Sequence, residues 1–438
     1  MPQQNYNPSP WYYVPTAYFL EGLPYALINI LAGIIYVKMD IPIAKYTFWT
    51  GLFGLPWVVK MFWAPLIDGN KTKRWWVILT QYLMGLAFVA AALSLGRGDF
   101  FTISAICFFA GAFLSATHDI ALDGYYMIAL DAKKQSLFVG VRTTVYRLAM
   151  LFTSGPLVIL AGYIEKSGGS IARSWTIALL IAAAIILAFN TYHFFIMPRP
   201  MQDAPQKSKD IPLYFDTFKK FLTQQGFWFI VIFMLFFRIG DALLSKLLVP
   251  FLLRAPETGA LGISTASYGL IKGTLGVFAV ISGNLLGGFL LSKYGFKKCI
   301  WWFAAVLVLP NFLYAYMAAN PQAMTLPMIG SFIVFEHLGD GIGFMAITVF
   351  MLIIARGAYK TSFYAIGTGL MAFGTMIPPI ISGKLFEMLG SNYAQYFMIT
   401  AIISLVAFLI VPLILRVEKV KESDAEILKK NKEFISQN

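Results

Sequence analysis

Twelve ionisable side chains of this sequence lie inside long apolar runs: Glu21, Lys60, Asp119, Asp123, Arg147, Arg238, Asp241, Lys246, Lys272, Glu336, Asp340 and Lys384. A charge in that setting is costly unless it borders water or meets a partner, so each one marks a candidate site. Carboxylates there could bind protons or a charged solute. A carboxyl withdrawn from water holds its proton more tightly, and a neighbouring Arg reverses that. An acid whose Arg comes and goes with conformation therefore couples protonation to a change of shape. Asp119 and Asp123 stand four residues apart, as do Glu336 and Asp340, so each pair occupies one helical face. The expected proton- or solute-binding residues are Glu21, Asp119, Asp123, Arg147, Asp241, Lys272, Glu336 and Asp340. The bland alternative is a fixed ion pair of Asp119 or Asp123 with Arg147, locking two helices together.

A second tier is less specific. His118 and His337 read as proton relays or as hydrogen-bonded packing residues, and Arg238 as a cation beside Asp241. Tyr125 and Tyr126 follow Asp123 and could stack on a ring, or pack in a core. Lys60, Lys246, Lys272 and Lys384 could attract an anionic solute, Lys272 best because it lies well within its run; Lys60 and Lys384 could equally snorkel to an interface. Asp68, Lys73 and Arg74 fit a gate better than a binding site.

The elements that must position these groups are membrane helices. The chain of 438 residues is 58% hydrophobic and 13% charged, far from the balance of a soluble domain. Apolar runs cover 13–37, 46–66, 75–95, 101–130, 138–163, 174–196, 227–253, 266–291, 299–319, 323–354, 361–386 and 394–415. Each is long enough to cross a hydrocarbon core roughly 30 Å thick. The fold class predicted is all-α integral membrane, with twelve spans in two six-helix halves, 1–197 and 227–438. Residues 198–226 form a Pro- and Lys-rich cytoplasmic linker, and the C-terminal half ends in a short charged tail. The segments on one side of the membrane hold most of the Lys and Arg. The other side holds Lys38, Lys45, Arg97, Lys166, Arg173 and Arg254, which places both termini in the cytoplasm. Glu21, Asp123 and Arg147 then lie roughly 10–13 Å from the cytoplasmic ends of their helices, and Asp241 and Asp340 roughly 21 Å deep.

The net charge of +13 is spread over short loops and forms no aromatic-interleaved patch, so nucleic acid is not an expected partner. Cys107 and Cys299 both fall in apolar runs, and three histidines with two cysteines give no metal motif. No Lys or Arg precedes the first run within the first twelve residues, so it is expected to remain as a span rather than leave as a signal peptide.

The halves echo each other. Ala64-Pro65-Leu66-Ile67-Asp68 with a basic turn closes the second run, and Gly287-Gly288-Phe289-Leu290-Leu291 with Lys293-Tyr294-Gly295-Phe296-Lys297-Lys298 closes the eighth. His118-Asp119-x3-Asp123-Gly124 in the fourth is echoed by Glu336-His337-x2-Asp340-Gly341 in the tenth. Six plus six helices with such a repeat resembles the major facilitator superfamily. Within it the chain looks like the AmpG-type muropeptide permeases, the branch that includes acetyl-CoA transporters. The resemblance runs along nearly the whole chain. It is carried by Gly22-Leu23-Pro24, Lys60-x-Phe62-Trp63-x-Pro65-Leu66-x-Asp68, Asp119-Ile120-x2-Asp123 and Tyr146-Arg147-Leu148-x-Met150-Leu151. In the second half it continues in Gly240-Asp241-Ala242, Lys272-Gly273-Thr274-Leu275-Gly276, Gly287-Gly288 and Phe335-Glu336-x2-Gly339.

The resemblance implies a cavity lined by helices 1, 4, 7 and 10. It implies proton-driven import of N-acetylglucosaminyl-anhydro-N-acetylmuramic acid, with or without peptide, across the bacterial inner membrane. The matched acids and Arg147 would serve proton and solute. No cofactor is expected beyond the proton motive force, and the expected partners are the solute, protons and membrane lipids around a monomer. The chain departs from the family at His118, where Gln is usual, and at Gly124-Tyr125-Tyr126, where Ala-Trp-Lys is usual. Other bulky polar or anionic cargoes therefore stay open: a siderophore, an acyl-CoA-like molecule or a peptide. A membrane enzyme acting on a lipid-linked sugar would need long loops carrying catalytic groups, and the outward segments here are short. A passive channel or sensor is disfavoured by the repeat.

Overall fold

The computed structural model describes residues 8–204, 219–354, 360–417, 420 and 422. The linker stretch 205–218 and the charged tail beyond 422 lie outside them. Among the described residues the chain is helical throughout, and 11 helices are long and apolar enough to cross a membrane. These are α1 (Pro10–Lys38), α3 (Lys73–Ser94), α4 (Phe100–Ala129), α5 (Ala132–Ser154 and Pro156–Lys166, with its candidate span over Gly140–Lys166), α6 (Ile171–Ile196) and α7 (Phe227–Leu253). They continue with α8 (Thr265–Tyr294), α9 (Phe296–Ala319), α10 (Leu326–Ile354), α11 (Ile366–Met388) and α12 (Tyr393–Ile414).

The remaining span, α2, is not one rod as its apolar run suggests. It is built of Ile43–Leu52, Leu55–Val59, a tight turn Lys60–Phe62 and Ala64–Gly69. Pro56 and Pro65 sit in the first turns of two of these pieces, where a missing N–H costs nothing but an uninterrupted helix cannot form. Lys60 opens the tight turn, its carbonyl accepting the Trp63 N–H at 3.2 Å. In the same way α7 breaks before Ile239, with Arg238 at the boundary and Asp241 in the first turn of the second piece, where the helix dipole favours an acid. A wide helical turn at Leu27–Leu31 follows Pro24 in α1, and another occupies Gly269–Leu275 in α8.

The chain forms two compact units. The first comprises 1–41, 53–209 and 264–273, and the second 42–52, 210–263 and 274–438. In the first unit α1 packs along α5 and α3 along α4. Its core gathers Tyr13, Tyr18, Val77, Leu122, Tyr125 and Phe138. A Cβ on Gly22 would stand 2.6 Å from the Tyr146 carbonyl oxygen, so α1 and α5 meet backbone to backbone beside Glu21. In the second unit α8 crosses α10, and the piece Ile43–Leu52 lies along α11. There the helices meet at small residues: a Cβ on Gly283 would lie 3.1 Å from Gly341 Cα, and one on Gly287 3.2 Å from Ile342 Cα. An aromatic core of Phe233, Phe237, Phe296, Phe303 and Phe350 fills the space beneath.

Candidate functional site: two charged clusters

In the first unit the break in α2 brings Lys60 onto α4, where its ammonium forms an ion pair with Asp119. One turn along, Asp123 is met by Arg142 of α5 at 3.1 Å and accepts a hydrogen bond from the Tyr18 hydroxyl at 2.9 Å. Arg142 also donates to that hydroxyl at 3.1 Å, and its guanidinium lies 4.8 Å from the Tyr18 ring centre and 5.2 Å from that of Tyr126. Two edge-to-face rings and a carboxylate thus hold the guanidinium. Glu21 of α1 lies in the same cluster, close to Asp119 and Asp123. The Asp123 side chain is 41% accessible, Lys60 34% and Arg142 31%, whereas Asp119 is 15%. Charged groups in membrane helices generally face a cavity or a partner rather than lipid.

Beside the cluster runs a closed polar chain. The Gln81 amide nitrogen lies 3.0 Å from His118 Nε2, its oxygen 3.0 Å from His193 Nδ1, and His193 Nε2 lies 2.8 Å from the Thr16 hydroxyl. With the amide so oriented, it donates to His118 and accepts from His193. Gln81, His118 and His193 have no accessible surface. His118 therefore joins α4 to α3 and α6 as a packing residue.

The second unit carries its own cluster. Arg238, at the break in α7, holds both Asp241 on its own helix and Asp340 on α10. The two acids expected to share a layer are thus joined by one guanidinium. Further along α10, Glu336 accepts from His337 Nδ1 and lies 3.4 Å from the Tyr314 hydroxyl; it is 8% accessible.

Other candidates fall elsewhere. Tyr125 is buried and donates to the Pro198 carbonyl at 2.9 Å, and Tyr126 donates to that of Gln135, so both rings pack in the interior instead of lining an open surface. Arg74 binds the carbonyls of Met197 (3.0 Å) and Phe194, closing the C-terminus of α6. Asp203 accepts the backbone N–H groups of Lys73 (2.6 Å) and Arg74 (3.0 Å), capping α3. These contacts tie helix ends together. The side chain of Asp68 lies outside the described residues. Lys272 is half-buried within the wide turns of α8. Arg147 lies beside Tyr146, with its guanidinium 3.9 Å from Met150 Sδ.

No family model matches the chain. The anhydromuropeptide permease of Escherichia coli K12 is 25% identical over 388 residues, covering 87% of this chain and 75% of that protein. A putative transporter, AmpG 4, of Rickettsia conorii is 25% identical over 409 residues, covering 89% and 93%. Among solved structures, a D-xylose–proton symporter superposes with a TM-score of 0.69 at 12% identity, over 91% of this chain and 95% of its own. The nucleoside transporter NupG gives 0.62 at 17% identity, over 92% and 98%. The chain is a membrane transporter with the major facilitator fold. The AmpG-type resemblance in its sequence is borne out by relatives that share most of its length. It is a multi-pass protein of the bacterial inner membrane, and with permeases as its relatives the enzyme reading falls away.

Two residues of this transporter's first cluster escaped the sequence reading. Arg142 stands only four residues into the apolar run 138–163, so in the sequence it counts with the basic residues of the cytoplasmic end. The helix begins earlier, at Ala132, where the Asp131 side chain accepts the Lys134 N–H at 2.9 Å. That acidic cap was the available signal. It would have placed Arg142 roughly 15 Å inside α5. Lys60 was noticed, but only as a free cation or a snorkelling one. The cation facing Asp123 is Arg142, five residues before the expected Arg147.

Proposed function

We propose that this transporter imports anhydro-muropeptide, N-acetylglucosaminyl-anhydro-N-acetylmuramic acid with or without its peptide, by proton-coupled alternating access with both termini in the cytoplasm. The reading is carried by the Lys60–Asp119 and Arg142–Asp123 ion pairs, which with Glu21 nearby gather three acids and two cations on the membrane helices of one unit. Such a group can take up a proton when its ion pairs loosen and release it when they close. The accessible cations Lys60 and Arg142 suit the carboxylates of a muropeptide, by charge-assisted hydrogen bonds. The cargo itself is supported by the name of the E. coli relative. Glu21, Asp119, Asp123 and Arg142 then serve proton and solute in the first unit, and Arg238, Asp241, Glu336, His337 and Asp340 in the second. The proton motive force is the energy source and the working form is a monomer.

The test is uptake of labelled anhydro-muropeptide into proteoliposomes, with and without an imposed pH gradient. Accumulation that follows the gradient and disappears in Asp123→Asn supports the proposal. Uptake indifferent to the gradient removes proton coupling, and no uptake by the unaltered protein removes the cargo.

A further inference from the structure

Where α3 begins and α6 ends, the first unit carries a groove of about 520 Å³ that the transport reading does not use. Its mouth holds Arg74 in the first turn of α3, Arg199 just past the end of α6, and Asp203. Asp203 directs both oxygens to the Lys73 and Arg74 N–H groups, so the start of α3 already answers its charge. Arg74 gives its printed hydrogen bonds to two neutral carbonyls, those of Met197 and Phe194. Arg199 is exposed. Among the lining residues two guanidinium charges thus stand against one carboxylate that is engaged elsewhere, and an anion would complete the balance. Deeper in, the walls are apolar, with Ile78, Leu79 and Tyr82 on α3 and Phe194 on α6. Trp75 and Tyr82 are exposed, and their residue types settle at a membrane interface. Asn190 lines the same groove, six residues before the end of α6 and so roughly 9 Å from it. It is 7% accessible, and its Oδ1 is buried with no hydrogen-bond partner among the described residues. Leaving such a group unmade is costly, and an amide can turn over, so an acceptor on a ligand satisfies it as well as a donor.

We propose that this groove binds one anionic phospholipid of the surrounding bilayer. Arg74 and Arg199 clasp its phosphate, Asn190 donates to an ester carbonyl, and its chains lie along Ile78, Leu79 and Tyr82. Guanidinium groups suit phosphate because their paired N–H groups match its oxygens. A phospholipid carries that phosphate, the ester groups and the chains in the order in which the groove presents their partners. A soluble phosphate compound would leave the apolar wall uncovered. A choline headgroup brings a cation toward two arginines, whereas a glycerol headgroup brings none, so phosphatidylglycerol is the favoured occupant. Bound there, it fastens the start of α3 to the end of α6. The inference depends on neither the cargo nor proton coupling.

Native mass spectrometry of the full chain in detergent tests this, with phosphatidylglycerol, phosphatidylcholine of the same chains, or glycerol 3-phosphate added in turn. One phosphatidylglycerol should stay bound, more tightly than phosphatidylcholine, and glycerol 3-phosphate should not be retained. Arg199→Gln, a change at an exposed side chain, should weaken phosphatidylglycerol about tenfold, the loss of one charge-assisted hydrogen bond. Asn190→Leu should weaken both lipids while keeping the preference between them. In thermal unfolding, phosphatidylglycerol should raise the midpoint of the unaltered protein and leave that of Arg199→Gln where it was. Equal retention of the two lipids overturns the proposal, as does Arg199→Gln holding phosphatidylglycerol as tightly as the unaltered protein. Glycerol 3-phosphate retained as well as the lipid overturns it too, in favour of a soluble phosphate ligand. Should Arg199→Gln not fold, Arg199→Lys decides: it keeps the charge but loses the paired N–H groups, so its hold on phosphatidylglycerol must be weaker.

Discussion

Lys60 reaches Asp119 from the point where α2 breaks. A partly buried ion pair gains little from its own attraction, since desolvation offsets it; removing one partner is what costs. Lys60→Met should therefore strip Asp119 of its cation. The expected destabilisation falls short of the roughly 3–5 kcal/mol of a fully buried pair, because Lys60 is 34% accessible. The double variant Lys60→Met with Asp119→Asn should recover most of that loss in a thermal-unfolding assay while transport stays absent. Equal damage in the single and double variants would show that the pair is not a unit.

The buried chain through Gln81 offers a stability test independent of transport. Gln81 satisfies one nitrogen each of His118 and His193, and His118 Nδ1 already lacks a partner. Gln81→Leu keeps the volume but strands both rings, at about 1–3 kcal/mol for each group left unmade. Gln81→Glu should be milder, since it keeps an acceptor for His193. The comparison is made by thermal unfolding in detergent. If Gln81→Leu melts with the unaltered protein, the chain contributes nothing to the fold.

Much of this architecture was legible without coordinates. The apolar runs located every span to within a few residues, because a helix crossing lipid must satisfy its backbone internally and carry an apolar surface. The depth argument brought Asp241 and Asp340 together, and Arg238 does bind both. What sequence could not supply was partnership across helices. Nothing in the spacing of His118, Gln81 and His193 says that they touch, and Arg142 and Lys60 found their acids only through packing. Where backbone chemistry intervened the reading also slipped. The run around 46–66 is apolar throughout, yet Pro56 and Pro65 divide it, and the break is what delivers Lys60.

The approach of α1 to α5 at Gly22 is too close for a side chain. A Cβ there would lie 2.6 Å from the Tyr146 carbonyl oxygen and 3.1 Å from Ala149 Cβ, neither of which is a flexible chain end. Gly22→Ala should force the helices apart and displace Glu21 from Asp119, costing about 1–3 kcal/mol by overpacking. Gly140, also on α5, has nothing within 4 Å of its would-be Cβ among the described residues. Gly140→Ala should accordingly be neutral, or stabilising by up to about 1 kcal/mol. Thermal unfolding of both variants checks this, and a Gly22→Ala protein as stable as Gly140→Ala would contradict the close contact.

Arg238 is the hub of the second unit, and its substitution should do more harm than that of either acid it holds. Its guanidinium carries one positive charge against Asp241 and Asp340, at 13% accessibility for itself, 16% for Asp241 and 28% for Asp340. Asp241→Asn leaves Arg238 paired with Asp340, and Asp340→Asn leaves it paired with Asp241. Arg238→Met leaves two carboxylates facing each other between α7 and α10, so one must take a proton or the helices must separate. Solute uptake in proteoliposomes should fall moderately in each Asn variant and be lost in Arg238→Met. The triple neutral variant should regain the thermal stability of the unaltered protein without regaining transport. If Arg238→Met carries solute as well as either Asn variant does, the guanidinium is not what binds α7 to α10.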